Sequence, residues 1–293
     1  MTNAQDQGLV LKNYSGFYYV QNSRAQIVEC RTRGKLKARI LSGDRVMYTP
    51  LEDGKGILEQ VLPRDNEMYR PRVANVSMVL IVMAYDRPLP SLSLLDRLLL
   101  LAQYSHLQPL IVLNKSDLQT NRYVNDIKSY YPPAKFPLLS VSARFKQGME
   151  QLKAAISGEI AVLAGPSGVG KSSILNLLTA QDTAPTQEVS NKIGRGRHTT
   201  RHVELYPLDN NGWLVDTPGF SVLDLPRMRR EELPLLFPDF IDYTEDCKFA
   251  DCLHYKENNC GVKKAVEDNK ILASRYHNYL TMLEEVMENE RCY

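Results

Sequence analysis

The chain lacks any run of eighteen apolar residues, so none of its 293 residues is expected to form a membrane-spanning helix. Its first residues, Met1 to Gln7, have neither a basic leader nor an apolar signal core, and the expectation is a soluble, cytoplasmic protein with no membrane partner. An excess of charge of one sign is also missing. The 36 basic and 34 acidic side chains leave a formal charge of +2, so a surface for nucleic acid would have to be a local patch. Cysteine is scarce, with five residues in the whole chain, which argues against a disulfide framework. Three of the five crowd between positions 247 and 260, an arrangement that suits a metal. Internal repeats and low-complexity tracts are absent, which excludes a solenoid or a biased linker. What is present is 43% hydrophobic residue content, enough to bury a substantial core spread over two or three domains.

Three segments follow one another. Residues 1–70 carry short β signals broken by turns: Gly16 to Val20, Gln26 to Cys30, Ser42 to Tyr48 and Gly56 to Val61. Several short strands with glycine turns predict a small barrel. Pro63-Arg64 and Arg70-Pro71-Arg72 predict a linker. Residues 71–234 then alternate buried strands with helices: an apolar strand from Val76 to Met83, a leucine-rich helix over Ser91 to Ser105, a strand Leu110 to Leu113, a strand near Leu138 to Val141 and a helix near Met149 to Ile156. A strand Glu159 to Ala164, a helix Lys171 to Leu178 and two strands joined by Asn210-Asn211-Gly212 complete a parallel-sheet α/β signature. Residues 235–293 hold the cysteine cluster and a predicted terminal helix, Val262 to Glu290.

The α/β segment carries phosphate-binding chemistry. Gly165-Pro166-Ser167-Gly168-Val169-Gly170-Lys171-Ser172 matches G-x-x-x-x-G-K-[ST] and lies between a buried strand and a helix, so backbone N–H groups and the helix N-terminus converge on phosphate oxygens. Lys171 would neutralise the β- and γ-phosphates, Ser172 would ligate Mg²⁺, and Ser173 follows in the same turn. Asp216-Thr217-Pro218-Gly219 ends a later strand, where Asp216 would hold Mg²⁺ through water and the Gly219 N–H would approach the γ-phosphate. Asn114-Lys115-Ser116-Asp117 follows its own buried strand. The Asp117 carboxylate can accept from the N1–H and amino edge of guanine, a donor pair that adenine does not offer, so the expected nucleotide is GTP or GDP. Ser142-Ala143 would be the matching loop, with the Ala143 N–H donating to guanine O6.

The order of these motifs is the reverse of the usual one, because N-K-x-D and S-A precede the phosphate loop. Closing the usual termini and opening the chain after D-x-x-G produces this arrangement, which sheet packing tolerates when domain ends lie close together. The segment after Gly219 then runs directly into the C-terminal residues, so a nucleotide-dependent movement could pull on them. Phe220 stands where many GTPases place a water-orienting glutamine, and its ring can neither donate nor accept a hydrogen bond. His198, beside Thr199 and Thr200, is the nearest substitute. It also lies among Lys192, Arg195, Arg197 and Arg201, so RNA contact stays open as its role. Cys247-x₄-Cys252-x-His254-x₅-Cys260 offers three thiolates and an imidazole, a set that fits a closed tetrahedral structural Zn²⁺ site. Arg31, Arg33, Lys35, Lys37 and Arg39 alternate at period two, which a continuous strand would present on one face, although Gly34 hints at a turn. Either form gives a basic ridge suited to RNA phosphates, or a charged edge that deters strand pairing.

Taken together, these motifs resemble the ribosome small-subunit-dependent GTPase A family, the circularly permuted bacterial GTPases. The resemblance extends over Arg33-Gly34-Lys35-Leu36, Gly43-Asp44-Arg45-Val46, Arg70-Pro71, Ala74-Asn75-Val76, the permuted motifs, Arg197-His198-Thr199-Thr200-Arg201 and the cysteine cluster. It implies a multi-domain chain: an N-terminal all-β OB-fold barrel that binds RNA, a central α/β permuted GTPase, and a C-terminal, mainly helical zinc domain. It further implies GTP hydrolysis late in maturation of the small ribosomal subunit, stimulated by that subunit, with the subunit and its rRNA as partners of a monomeric protein. On the same basis His198 positions the attacking water, Thr200 serves Mg²⁺ and the γ-phosphate, and all four cluster residues bind zinc. The alternative is a non-enzymatic RNA-binding assembly factor switched by GTP.

Overall fold

The computed structural model describes residues 5–32, 39–69, 72–179, 203–216 and 224–291, with the side chains of residues 69 and 216 left aside. In chain order, strands β1 (Asp6–Tyr14), β2 (Phe17–Asn22), β3 (Ile27–Thr32), β4 (Arg45–Pro50), β5 (Lys55–Val61), β6 (Glu67–Tyr69), β7 (Arg72–Ala74) and β8 (Met78–Ala84) come first. Helix α1 (Leu92–Tyr104), β9 (Gln108–Asn114), α2 (Arg122–Tyr130), β10 (Leu138–Ser140), α3 (Met149–Ala155), β11 (Ile160–Ala164) and α4 (Lys171–Thr179) follow. The chain then continues through β12 (Glu204–Pro207), β13 (Trp213–Asp216), α5 (Pro238–Ile241), α6 (Gly261–Glu267) and α7 (Ala273–Arg291). These elements form two compact units: Met1–Met78 with Glu150–Leu163 and Ser172–Ser221, and Val79–Met149 with Ala164–Lys171 and Val222–Tyr293.

In the first unit, the strands close a barrel in the order β1-β2-β3-β5-β4, with β3 and β5 parallel and the neighbouring pairs β1/β2, β2/β3, β1/β4 and β4/β5 antiparallel. Val10, Val20, Val28, Cys30, Val46, Tyr48 and Leu58 fill it, as expected where alternate residues of each strand face inward. Gly56 permits this packing, because a Cβ there would lie 2.8 Å from Cys30 Sγ. Cys30 is fully buried in this core, and burial pushes its thiol up to about 12.

Within the stretch predicted as a linker, the described residues are braced. Arg64 donates to both oxygens of the fully buried Asp44, at 2.7 and 2.9 Å, and β6 and β7 pair as an antiparallel hairpin. Also in this unit, β11 runs parallel to β13, and β12 pairs antiparallel with β13. Lys12 and Glu204 form an ion pair at 2.7 Å, and Trp213 Nε1 donates to Gln21 Oε1 at 2.9 Å, which fixes these strands against the barrel.

In the second unit the strand order is β10-β9-β8, with β10 parallel to β9. The apolar runs of β8 and β9 are buried almost throughout, the pattern of strands covered on both faces. Ser91 caps α1 by accepting from the Leu94 N–H at 3.2 Å, and the leucine stripe from Leu92 to Leu101 turns inward. The C-terminal residues pack onto α1 within this same unit. Arg275 of α7, 1% exposed, donates to Asp96 of α1 at 2.8 Å and to Asp239 of α5 at 2.9 and 3.0 Å, with its guanidinium near the rings of Tyr131, Phe136 and Phe237. The single terminal helix expected over Val262 to Glu290 is two helices. Asn269 adopts φ 57°, and the bonds Asn269 N–H to Val266 O and Lys270 N–H to Ala265 O close a Schellman cap on α6.

Candidate nucleotide pocket and metal centre

Strand β11 ends at Ala164, and the phosphate loop turns through Gly165 at φ 129°, Gly168 at φ 83° and Gly170 at φ 97° before α4 begins at Lys171. Only glycine suits two of these positions on contact grounds as well. A Cβ at Gly165 would lie 2.1 Å from Val82 O, and one at Gly170 would lie 2.3 Å from Asn114 Nδ2. Lys171 Nζ donates to Gly165 O and Pro166 O, both at 2.8 Å, so its ammonium is held over the loop. Burial lowers its pKa, which makes the charge receptive to a compensating anion.

Asn114, 2% exposed, joins two loops that are far apart in sequence. Its Nδ2 donates to Val169 O in the phosphate loop at 2.8 Å, and its Oδ1 accepts from the Ala143 N–H at 3.0 Å. The Ala143 N–H expected to face guanine O6 therefore has an acceptor within the protein. Ser142 is fully buried and its Oγ donates to Asp117 Oδ1 at 2.5 Å, which fixes the exposed carboxylate. Ser116 N–H donates to Val141 O at 3.0 Å, and Lys115, at φ 62°, reaches the Arg87 carbonyl. The bracing by Arg87 and by Pro88, which faces Gly168, had no signal in the sequence motifs. Asn114, Lys115, Asp117, Ser142, Ala143 and the loop Gly165 to Lys171 thus gather at the strand ends, as ligand sites in open α/β sheets do.

In the C-terminal residues, the donor atoms of Cys247, Cys252, His254 and Cys260 lie within 4.8 Å of one another. His254 Nδ1 is 3.6 Å from Cys247 Sγ and 3.3 Å from Cys260 Sγ, and the two sulfurs are 3.9 Å apart. Local structure aims these groups: His254 adopts φ 53°, Glu257 accepts from the Leu253 and Tyr255 N–H groups, and Tyr276 OH donates to His254 O at 2.7 Å. Gly261 N–H donates to Cys247 Sγ at 3.3 Å, a contact that favours a thiolate. Burial raises the Cys252 thiol to about 12, also raises Cys260, and lowers the His254 imidazole, so burial disfavours charge on each of these groups. A bound cation would compensate such a set, and no cysteine among the described residues forms a disulfide. The cluster could hold a metal ion.

Ser172 and Ser173 stand in the first turn of α4, and Asp216 ends β13. His198, Thr200, Gly219, Phe220, Arg33, Lys35 and Lys37 lie outside the described residues. Arg31 is exposed at the end of β3, with its guanidinium 4.2 Å from the centre of the Phe17 ring.

The RsgA GTPase family model matches residues 61–226, and the RsgA N-terminal domain model matches residues 7–58. The chain belongs to the RsgA GTPase family. Its RsgA relatives match nearly end to end. The small ribosomal subunit biogenesis GTPase RsgA of Carboxydothermus hydrogenoformans is 46% identical over 97% of this chain and 99% of its own. The protein of the same name from Moorella thermoacetica is 44% identical over 98% and 99%. Among solved structures, YjeQ from Thermotoga maritima superimposes with a TM-score of 0.81 at 36% identity, covering 97% of this chain and 99% of that one. YloQ, described as a circularly permuted GTPase, gives 0.82 at 33% identity, covering 98% and 96%. This RsgA GTPase accordingly has an OB-like five-stranded barrel, a circularly permuted GTPase and C-terminal helices with a Cys/His cluster. No helix among its described residues is long and apolar enough to cross a membrane.

Proposed function

We propose that this GTPase hydrolyses GTP as a timed step in cytoplasmic maturation of the small ribosomal subunit, acting as a monomer that the subunit and its rRNA stimulate. The observation that carries the reading is the Asn114 amide bridging Val169 and Ala143, because it ties the N-K-x-D, S-A and phosphate-loop segments together. Asp117, oriented by Ser142, reads the guanine edge. Lys171 exchanges the Gly165 and Pro166 carbonyls for the β- and γ-phosphate oxygens, while N–H groups between Pro166 and Ser173 surround the phosphates. Mg²⁺ held by Ser172 and Thr200, with Asp216 behind a water, would neutralise charge developing on the phosphates. Thr200 and the Gly219 N–H sense the γ-phosphate, and His198 orients the attacking water in place of the missing glutamine.

The cluster Cys247, Cys252, His254 and Cys260 binds one structural Zn²⁺. Bond lengths of about 2.3 Å to sulfur imply tetrahedral edges of about 3.8 Å, close to the 3.9 Å sulfur separation here. Residues 1–70 form the RNA-binding domain, contacting rRNA through Arg31, Arg33, Lys35 and Lys37; residues 71–234 form the GTPase and 235–293 the zinc domain. Phosphate release measured with and without purified small subunits tests the reading. Stimulated multiple turnover by the wild type is expected. His198→Ala is expected to bind GTP and subunits normally and to lose stimulated hydrolysis by about a hundredfold or more. Nucleotide binding without any stimulated release would contradict the assignment.

A further inference from the structure

The guanine loop carries a feature that nucleotide binding does not use. Beyond Ser142-Ala143 the chain turns back through Arg144, Phe145 and Lys146, and the turn is closed by paired bonds between Ser142 and Gln147, at 3.0 and 3.1 Å. All three side chains at the tip are exposed, and the Phe145 ring is 57% open to solvent. Arg144 holds its guanidinium 5.3 Å from the centre of that ring. Neither Arg144 nor Lys146 has a carboxylate partner among the described residues. Lys146 adopts φ 58° and Gly148 φ 72°, where a Cβ would meet Ser140 O at 2.7 Å, so the turn has a fixed shape. The turn is also joined to the guanine reader. Ser142 Oγ accepts from the Phe145 N–H at 3.3 Å and donates to Asp117 Oδ1 at 2.5 Å.

We propose that Arg144, Phe145 and Lys146 form a docking site for an unpaired RNA base, with the base stacked on Phe145 and its flanking phosphates met by the two cations. This rests on the small subunit being the partner. An aromatic face between two exposed cations suits a nucleotide, because stacking engages any base and the cations engage the backbone. An acidic peptide would use the cations and leave the ring exposed. Because Ser142 links the tip to Asp117, docking at Phe145 changes the hold on guanine, and the coupling is reciprocal.

The test compares wild type, Phe145→Ala, Phe145→Trp and Phe145→Leu by co-sedimentation with purified small subunits and by subunit-stimulated phosphate release. Fluorescent-GDP titration checks the pocket of each variant. Phe145→Ala and Phe145→Leu are expected to weaken subunit binding about tenfold, and Phe145→Trp to restore it. Ultraviolet crosslinking of the wild type to subunits should leave a nucleotide on the peptide containing Phe145. Equal binding by all four proteins, a Leu variant as good as Trp, or a crosslink at this peptide to protein would overturn the proposal. A wild type that subunits neither bind nor stimulate would instead overturn the function on which it rests.

Discussion

Asn114 Nδ2 lies 2.8 Å from Val169 O, so the first motif in the sequence directly supports the phosphate loop that comes much later. The same amide accepts from Ala143. One buried side chain thus sets the distance between the base-reading and phosphate-holding loops, and this geometric requirement survives the permutation of the chain.

Asn114→Ala leaves the buried Val169 carbonyl and the half-buried Ala143 N–H without their shared partner, at a cost of about 1–3 kcal/mol for the carbonyl. GTP and GDP affinities are expected to fall together by about tenfold or more in a fluorescent-nucleotide titration. Asn114→Asp keeps the acceptor for Ala143 but places a carboxylate oxygen against Val169 O, and it should bind no better than the alanine variant. Unaltered affinity in both would remove Asn114 from the pocket's architecture.

Arg275→Ala should destabilise the chain by about 3–5 kcal/mol, because it strands the buried Asp96 and Asp239 carboxylates. Burial already raises the Asp96 pKa, against Arg275, Asn278 and Tyr131, which lower it. Without Arg275 the rise grows. A carboxyl whose pKa is raised by folding stabilises the fold when protonated, and it loses that contribution as pH rises through the folded value. The deficit of Arg275→Ala relative to wild type should therefore shrink between neutral and mildly acidic pH, as read from urea midpoints at each pH. A deficit that grows on acidification would contradict the buried-carboxylate account.

Cys252→Ser should lower bound zinc from one ion per chain to well below one, as measured by mass spectrometry or atomic absorption, and should loosen the residues from Cys247 to Cys260. Guanine nucleotide binding should persist. Because Phe240 and Tyr279 pack against His254, Tyr276 OH donates to its carbonyl, and all three rings belong to the C-terminal core with Phe237, a large fall in thermal stability is expected as well. Full zinc content in Cys252→Ser would refute the ligand set.

The strands and helices that flank the motifs were legible in the sequence because apolar runs depend on local spacing. Ser91 and Ser105 bracket α1 as expected, and Asn211 takes φ 60° in the predicted turn before β13. Strand β1 gave no signal, since Gly8 and a register shift between Val10 and Lys12 break its alternation. Helix α2 was silent too, with only Val124 and Ile127 buried on an otherwise polar segment. The Arg275 network was invisible for a different reason. It joins Asp96, Asp239 and Arg275 from three separated elements, and no local pattern records such a meeting.

Whether the permuted motifs form the pocket where subunit-stimulated hydrolysis occurs is tested most directly by exchanging the base. Asp117→Asn replaces an acceptor with an amide that can donate to the additional carbonyl of xanthine. Phosphate release by this variant should be measured with GTP and with xanthosine triphosphate, each with and without small subunits. Stimulated hydrolysis of xanthosine triphosphate with loss of GTP turnover is the predicted result, and stimulated GTP hydrolysis at the wild-type rate would contradict it.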